Sequence, residues 1–261
     1  MLEMDCLKGK KVVLTGAYGV FGKWFTKAFN EVGAQLCLTG RRMDKLEELA
    51  ASMDFAFPPL LVQADLTRDA DLEKLVETVR KEWKAPDAVV ANAGLYPSAF
   101  LLETETAEWD RIMNVNVRST FILTRDMAKL MISERVKGCF VYISSGAARI
   151  LRAKGIPYCV SKGAESRLCT GFALELAHAG IRVNAVEPGF APGSETSPLE
   201  EGYVKKMISG IPLGRSSGPT DAASAVLYLC SDWASFITGT SIAVDGGNSC
   251  GQYFVEKQKF F

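Results

Sequence analysis

The chain has 261 residues, 48% hydrophobic and 23% charged, enough to bury a large core in one long domain or two short ones. Thirty basic and thirty acidic side chains cancel, so the charge balance points to neither a nucleic acid nor an anionic membrane as partner. No apolar run approaches the roughly 18 residues of a membrane span, and the start Met-Leu-Glu-Met-Asp has no basic region followed by an apolar stretch, so no secretory signal is read there. The seven cysteines are scattered, none in a C-x-x-C pair, and read as reduced thiols of a cytoplasmic protein. With a single histidine, His178, no metal site is expected; His178 reads as a polar residue near a helix C-terminus.

In chain order, short apolar runs alternate with helical patterns. Lys11–Thr15 reads as a buried strand, followed by a helix over Phe21–Val32 with Phe21, Trp24, Phe25, Ala28, Phe29 and Val32 on one side. Gln35–Thr39 and Leu60–Ala64 read as the second and third strands, separated by a helix over Met43–Ser52. An amphipathic helix over Ala70–Trp83 leads to a fourth strand, Ala88–Ala91. Ala107–Glu134 reads as one long helical stretch, Cys139–Ser144 as the fifth strand, Tyr158–Ala179 as a second long helix and Ile181–Val186 as the sixth strand. A helix over Ala222–Leu229 and a strand over Ser241–Val244 close the pattern. The strands are nearly continuous apolar runs, as expected where helices cover both faces of a sheet. The repeated alternation predicts an α/β fold: right-handed crossovers and a Rossmann-like, doubly wound parallel sheet of about seven strands, in a single domain over residues 1–261. The Gly/Pro/Ser-rich stretch Pro188–Pro198 reads as a loop over a site, and the region around 190–215 as an inserted substrate loop and helix.

Tyr158 and Lys162 are four residues apart in Tyr-Cys-Val-Ser-Lys. Four residues is about one helical turn, so both side chains leave the same face. A lysine ammonium beside a phenol favours the phenolate and brings the tyrosine towards neutrality, where it can give or take a proton. Cys159 points off that face and is assigned to packing. Ser145 lies thirteen residues upstream of Tyr158, and Asn116 further back in Asn114-Val115-Asn116. Near the N-terminus, Thr15-Gly16-Ala17-Tyr18-Gly19-Val20-Phe21-Gly22 falls between a strand and a helix. There the chain must turn tightly and let phosphate oxygens approach backbone N–H groups, the context of a dinucleotide site. The second strand ends Leu38-Thr39-Gly40-Arg41-Arg42. An acidic residue there would bind the ribose hydroxyls of NAD, whereas arginine matches a 2′-phosphate. Arg41 and Arg42 therefore favour NADP(H). NAD(H) stays open through Asp44 just beyond, and through a reading of both arginines as a solvated helix start. Asp65 and Leu66 after the third strand, and Asn92-Ala93-Gly94 after the fourth, lie at strand C-termini, where open α/β sheets bind ligands. Asp65 also reads as the N-cap of the next helix.

Together these residues resemble the short-chain dehydrogenase/reductase family. The resemblance covers roughly Leu7 to Gly247, with the landmarks in the family's order: Thr15–Gly22, Asp65, Asn92-Ala93-Gly94, Asn116, Ser145, Tyr158 with Lys162, and Pro188-Gly189 after Asn184. It implies an oxidoreductase that interconverts a ketone or aldehyde and an alcohol by hydride transfer. Tyr158 would be the general acid in reduction and the base in oxidation, and Lys162 would hold the nicotinamide ribose hydroxyls. Ser145 would donate to the substrate oxygen, and Asn116 would anchor a water chain reaching Lys162; Asn116 also reads as a structural polar residue inside a packed helix. Gly16, Tyr18, Gly19, Val20, Phe21 and Gly22 of the glycine turn, with Arg41, Arg42, Asp65, Leu66, Asn92, Ala93, Gly94, Tyr158, Lys162, Pro188 and Gly189, would contact the cofactor.

Two departures qualify the resemblance. The family's commonest glycine turn has glycines at the first, fifth and seventh places; here they stand at the first, fourth and seventh, with Val20 in the fifth. That spacing is similar to the larger epimerase and dehydratase branch, but the chain is short for it, so a locally altered turn under the diphosphate is expected. Five residues after Pro188, where the family usually has threonine, stands Gly193, with Ser194 or Thr196 as substitutes. Tyr96, Ser145, Ile150, Leu151, Phe190 and Met207 are the substrate candidates and would make a mainly apolar pocket. The two long helices are apolar over much of their circumference, and in the family such helices pair between subunits, so a homodimer or homotetramer is expected. The aromatic tail Gln252–Phe261 reads as docked. A cofactor-binding sensor or scaffold with little catalysis is the alternative of another class.

Overall fold

The computed structural model describes residues 5–193 and 199–251. The strands are β1 (Lys11–Thr15), β2 (Gln35–Gly40), β3 (Leu60–Gln63), β4 (Ala88–Ala91), β5 (Cys139–Ile143), β6 (Arg182–Pro188) and β7 (Ser241–Val244). They form one seven-stranded sheet in the order β3-β2-β1-β4-β5-β6-β7, with every neighbouring pair parallel. The helices are α1 (Val20–Glu31), α2 (Met43–Ala51), α3 (Asp69–Trp83), α4 (Thr106–Met113), α5 (Ser119–Ser133), α6 (Ile156–Leu176), α7 (Glu201–Ser209) and α8 (Asp221–Cys230).

Alternate strand residues feed two cores, because successive side chains point to opposite faces. Val12, Leu14, Leu36, Leu38, Val90 and Val141 pack with Phe25 and Phe29 of α1, Leu46 and Leu49 of α2, and Val226 and Leu229 of α8. Val13, Cys37, Val89, Phe140 and Val183 pack with Leu72, Leu75 and Val79 of α3, Met127 and Met131 of α5, and Cys169 and Ala173 of α6. With both faces covered, the expected doubly wound sheet is the observed one. The strand order reverses between β1 and β4, so their C-terminal ends open the crevice in which such sheets bind ligands.

Most element ends fall within two residues of expectation, and two differences have physical causes. β6 runs two residues beyond its apolar run, through Glu187 and Pro188. Glu187 is buried there because Arg149 pairs with its Oε2 and the Ser241 hydroxyl donates to its Oε1 at 2.6 Å. The long stretch 107–134 is not one regular α-helix: a π-turn over Asn114–Arg118 joins α4 to α5. Such turns are common at functional sites, and this one carries Asn116.

One buried hydrogen bond ties the sheet to a helix: Tyr142 Oη and Thr124 Oγ1 lie 2.8 Å apart. Tyr142→Phe is expected to cost about 1 kcal/mol, since the Thr124 hydroxyl can turn to a carbonyl one helical turn back. Urea denaturation reads this directly, and an unchanged midpoint would contradict it.

Candidate active site

The glycine turn is built by close backbone approach. Gly16 has a left-handed φ of 65°, and a Cβ there would meet the Ala93 backbone at 3.0 Å. Gly22 opens α1 against the turn itself; a Cβ would lie 2.7 Å from the Ala17 carbonyl carbon and closer still to the Gly16 oxygen. Gly19 caps α1 with its N–H donated to Gly16 O at 3.1 Å, and it is exposed. The turn is braced from below. The Asn92 side-chain amide donates to Thr15 O at 2.9 Å and Gly16 O at 3.0 Å, while the Thr15 hydroxyl accepts from the Asn92 and Ala93 N–H groups at 3.0 Å each. Asn92 thus shapes the turn with its side chain. Val20 is the first residue of α1 and is half-buried, and Phe21 packs against Trp24 and Phe25.

At the end of β2, the Tyr18 ring lies so close to Gly40 that a Cβ there would collide with it, and its hydroxyl accepts the Arg41 N–H at 3.1 Å. The two arginines differ. Arg42 Nε donates to Asp44 Oδ1 at 3.1 Å and Nη2 to the other carboxylate oxygen, and this hydrogen bonding holds Asp44 below the ordinary carboxylate range. The Arg41 guanidinium is exposed and, among the described residues, makes no ion pair.

Asp65 is not a helix N-cap; Arg68 stands at that position for α3. The Asp65 carboxylate instead closes a turn by accepting from the Thr67 N–H at 3.0 Å and hydroxyl at 2.7 Å. Burial pushes it up, but the Thr67 bonds, Arg41 and Arg68 outweigh that and hold it below its ordinary value. The Leu66 side chain is buried in the core.

Asn116 is fully buried. Its Oδ1 accepts from Leu95 N–H at 2.8 Å, and its amide donates to Leu95 O at 3.0 Å and Ser161 Oγ at 2.9 Å. Its side chain therefore clamps the end of the β4 loop to α6, and its carbonyl accepts the Thr120 hydroxyl at 3.0 Å. Ser145 lies two residues beyond β5 and caps a short turn, Gly146–Ala148, that packs on α6. Tyr158 and Lys162 share a face of α6, with Nζ 5.8 Å from the phenol ring centre. Lys162 is buried and donates to Ile143 O and Glu165 Oε2, each at 2.8 Å. Burial works against its ammonium, but Glu165 and Tyr158 outweigh it and hold Lys162 above the ordinary amine range. Gly94 borders the same place, where a Cβ would lie 3.6 Å from Asn116 Oδ1 and 3.7 Å from Lys162 Nζ.

One aromatic ring meets the phenol, and a second aromatic pair joins the loop after β6 to α7. Tyr96, 57% exposed, meets Tyr158 edge-on with ring centres 4.6 Å apart. Phe190 meets Tyr203 of α7 at 6.4 Å. Ile150 and Leu151 are exposed on a loop that is tied to the β4 loop by the Ala99 N–H donating to Lys154 O at 2.8 Å. Met207 is half-buried on α7, and the ring this helix sends to Phe190 is Tyr203. Pro188 ends β6, and Gly189 passes so close to β7 that a Cβ would lie 2.8 Å from Asp245 Cα. Cys159 is buried, as its helical position implied, and His178 bonds Glu175 O at 2.7 Å beyond the end of α6. Ser194, Thr196 and the tail from Gln252 lie outside the described residues.

A family model described as enoyl-(acyl carrier protein) reductase matches residues 16–249. The chain belongs to the short-chain dehydrogenase/reductase family. It is 32% identical to the 3-oxoacyl-(acyl-carrier-protein) reductase of Thermotoga maritima, covering 92% of this chain and 98% of that one. It is also 32% identical to a 3alpha-hydroxysteroid dehydrogenase of Mediterraneibacter gnavus, over 92% of this chain and 97% of the relative. The crystal structure of a 3-ketoacyl-(acyl-carrier-protein) reductase from Brucella melitensis complexed with NADH superposes with a TM-score of 0.85 at 33% identity, covering 93% and 99% of the two chains. This short-chain dehydrogenase/reductase is thus an NAD(P)-dependent oxidoreductase acting on CH–OH and C=O groups. One residue beside the pair escaped sequence reasoning: Glu165 carries only the signal of an ordinary helix charge, although its place one turn after Lys162 is visible in the sequence.

Proposed function

We propose that the protein is an NADP(H)-dependent reductase or dehydrogenase that interconverts an apolar ketone or aldehyde with its alcohol. The observation that carries this reading is the Tyr158–Lys162 pair at the C-terminal edge of the sheet, facing the crevice that the glycine turn opens. The nicotinamide cofactor, when bound, supplies or accepts the hydride. The crevice fits such a group: Gly16, Gly22 and Gly189 leave no room for side chains, and the free N–H groups at the start of α1 suit a diphosphate. Asp65, Leu66, Asn92, Ala93, Gly94 and Pro188 would border it.

Within that frame each side chain has a defined task. Negative charge grows on the substrate oxygen as a carbonyl is reduced, and Ser145 and Tyr158 would be preplaced donors to it. Tyr158 gives up its proton in reduction and takes one back in oxidation. Lys162 has three N–H donors, of which Ile143 and Glu165 use two, leaving one for ribose hydroxyls. Asn116 serves as a positioning residue, since its side chain is spent on Leu95 and Ser161. Tyr96, Ile150, Leu151, Phe190, Tyr203 and Met207 would shape an apolar substrate pocket, with the segment 190–215 as its outer wall. Exposed Phe121 on α5 and Leu174 on α6 suit the pairing of these helices in a homodimer or homotetramer. A cytoplasmic setting is consistent with seven free cysteines.

The preference for NADP(H) rests on Arg41, whose guanidinium is free to meet a 2′-phosphate while Arg42 is held by Asp44. Arg41→Ala is expected to weaken NADPH binding by about tenfold to a hundredfold, the worth of charged hydrogen bonds, and NADH binding by under threefold. Fluorescence titration of both cofactors reads it. Tighter NADH than NADPH binding in the unsubstituted protein would instead favour NAD(H), the cofactor in the Brucella structure.

A further inference from the structure

We propose that Glu165 is a buried counter-ion that sets the proton affinity of Tyr158 through Lys162, a positioning residue for the proton transfer inferred above. The inference rests on that reading of Tyr158. Glu165 stands one helical turn beyond Lys162 on the inward face of α6, with side-chain exposures of 1% and 4% for the pair. Its Oε2 accepts from Lys162 Nζ at 2.8 Å. Its Oε1, also buried, has no hydrogen-bond partner among the described residues.

A carboxylate is a costly choice for this position. An apolar side chain would fill it without desolvation, and a buried ion pair is rarely more stable than apolar packing of the same volume. A half-satisfied carboxylate is worse still. What Glu165 provides that an apolar residue cannot is negative charge against Lys162, and the ammonium is the group that acts on Tyr158. Few other groups share the space. The titratable neighbours are Tyr158, Lys162 and Cys169 on α6, and Tyr142 on β5, whose hydroxyl is bonded to Thr124. Burial pushes the Cys169 thiol up to about 12 and Tyr142 further, with Glu165 adding to both, so neither charges near neutrality. Burial holds the Glu165 carboxyl above the ordinary carboxylate range, with the charge and hydrogen bond of Lys162 pulling against it, so its ionisation at neutral pH is itself part of the test.

The direction of the effect follows from charge alone. Removing a buried anion lowers the proton affinity of every neighbour, so the first proton lost from the coupled Tyr158–Lys162 pair leaves at lower pH. Glu165 thus keeps the Tyr158 proton in place at pH values where the bare ammonium would expel it, which suits an acid that must donate to a carbonyl.

The test needs no turnover. In cofactor-free protein labelled with ¹³Cζ-tyrosine, the Tyr158 signal is the one missing from Tyr158→Phe. In Glu165→Gln its titration midpoint is expected to fall by about one pH unit, with the alkaline limb of any carbonyl reduction moving the same way. Glu165→Asp, which keeps the charge, is expected to stay within a few tenths of a unit of wild type. Superimposable titrations of wild type and Glu165→Gln would overturn the proposal, and so would an equal fall in Glu165→Asp, which would assign the effect to packing. Should Glu165→Gln fail to fold, the ¹³Cδ shift of Glu165 in wild type, assigned with Glu165→Asp, is the deciding measurement. A carboxylate at pH 7 is expected, and a protonated acid overturns the idea. A protein that reduces nothing would sink the oxidoreductase reading but leave the titration result standing.

Discussion

Tyr158→Phe is expected to lower kcat for carbonyl reduction by about a hundredfold to ten-thousandfold, the span usual for loss of a positioned acid. Cofactor affinity and melting temperature should hardly change. The reasoning is structural. Among the described residues the Tyr158 hydroxyl makes no hydrogen bond; its backbone carbonyl, which the substitution keeps, accepts the Ser161 hydroxyl at 2.7 Å. The ring would still meet Tyr96 edge-on, so the fold loses nothing it used. Tyr142 is the contrast, a buried phenol whose hydroxyl is committed to Thr124 and whose loss should show in stability rather than rate. Steady-state kinetics with a carbonyl panel, alongside thermal unfolding, separates the two tyrosines. A Tyr158→Phe protein within threefold of wild-type kcat would favour the sensor or scaffold alternative, in which cofactor binds and little is turned over.

The readable and unreadable parts of this chain divide along a physical line. Strands buried on both faces leave continuous apolar runs, and the turn residues between them are glycines, so the order of β1 to β7 and the place of the crevice could be read directly. Tyr158, Lys162, Ser145 and Asn116 stand out in the sequence because the proposed chemistry needs particular residue types at fixed spacings. The rest depends on partners far apart in sequence. Glu187 reads as the end of a strand until Arg149 and Ser241 are seen to neutralise it. Asn116 reads as a link to water or as a structural polar residue, and its side-chain bonds to Leu95 and Ser161 are visible only once α6 and the β4 loop are brought together. Arg41 and Arg42 read alike until Asp44 claims one of them. Glu165 is the sharpest case, since a charge in a helix ordinarily marks the solvent face. Only its burial on α6, which packs against β6, shows it pointing inward.

Gly22→Ala is expected to destabilise the protein by about 1–3 kcal/mol and to weaken cofactor binding at least tenfold. The added methyl would press on the Gly16 oxygen and on the Ala17 carbonyl group, the latter at 2.7 Å, and these are backbone atoms with no rotamer to change. Either the turn or α1 must move. The turn is held by hydrogen bonds from the Asn92 amide, from the Gly19 N–H to Gly16 O, and from the Ala17 N–H to Thr39 O at 3.2 Å, with the Thr15 hydroxyl bracing it from below. α1 is held by Phe25 and Phe29, both fully buried, and packs along α8. Whichever yields, the N–H groups that would face a diphosphate are turned away, so stability and binding should fail together. Gly19→Ala supplies the comparison. Its backbone is in an ordinary extended conformation, with φ −67°. The added Cβ would lie 3.4 Å from Gly16 O, an ordinary contact, so the fold should keep its stability to within about 0.5 kcal/mol. Any loss in Gly19→Ala should then appear only in binding, because that residue is exposed on the side a diphosphate would occupy. Urea denaturation of both variants with NADPH titration decides it. Equal stability of Gly22→Ala and wild type would mean that the turn is softer than its contacts imply and that the glycine spacing reflects the cofactor alone.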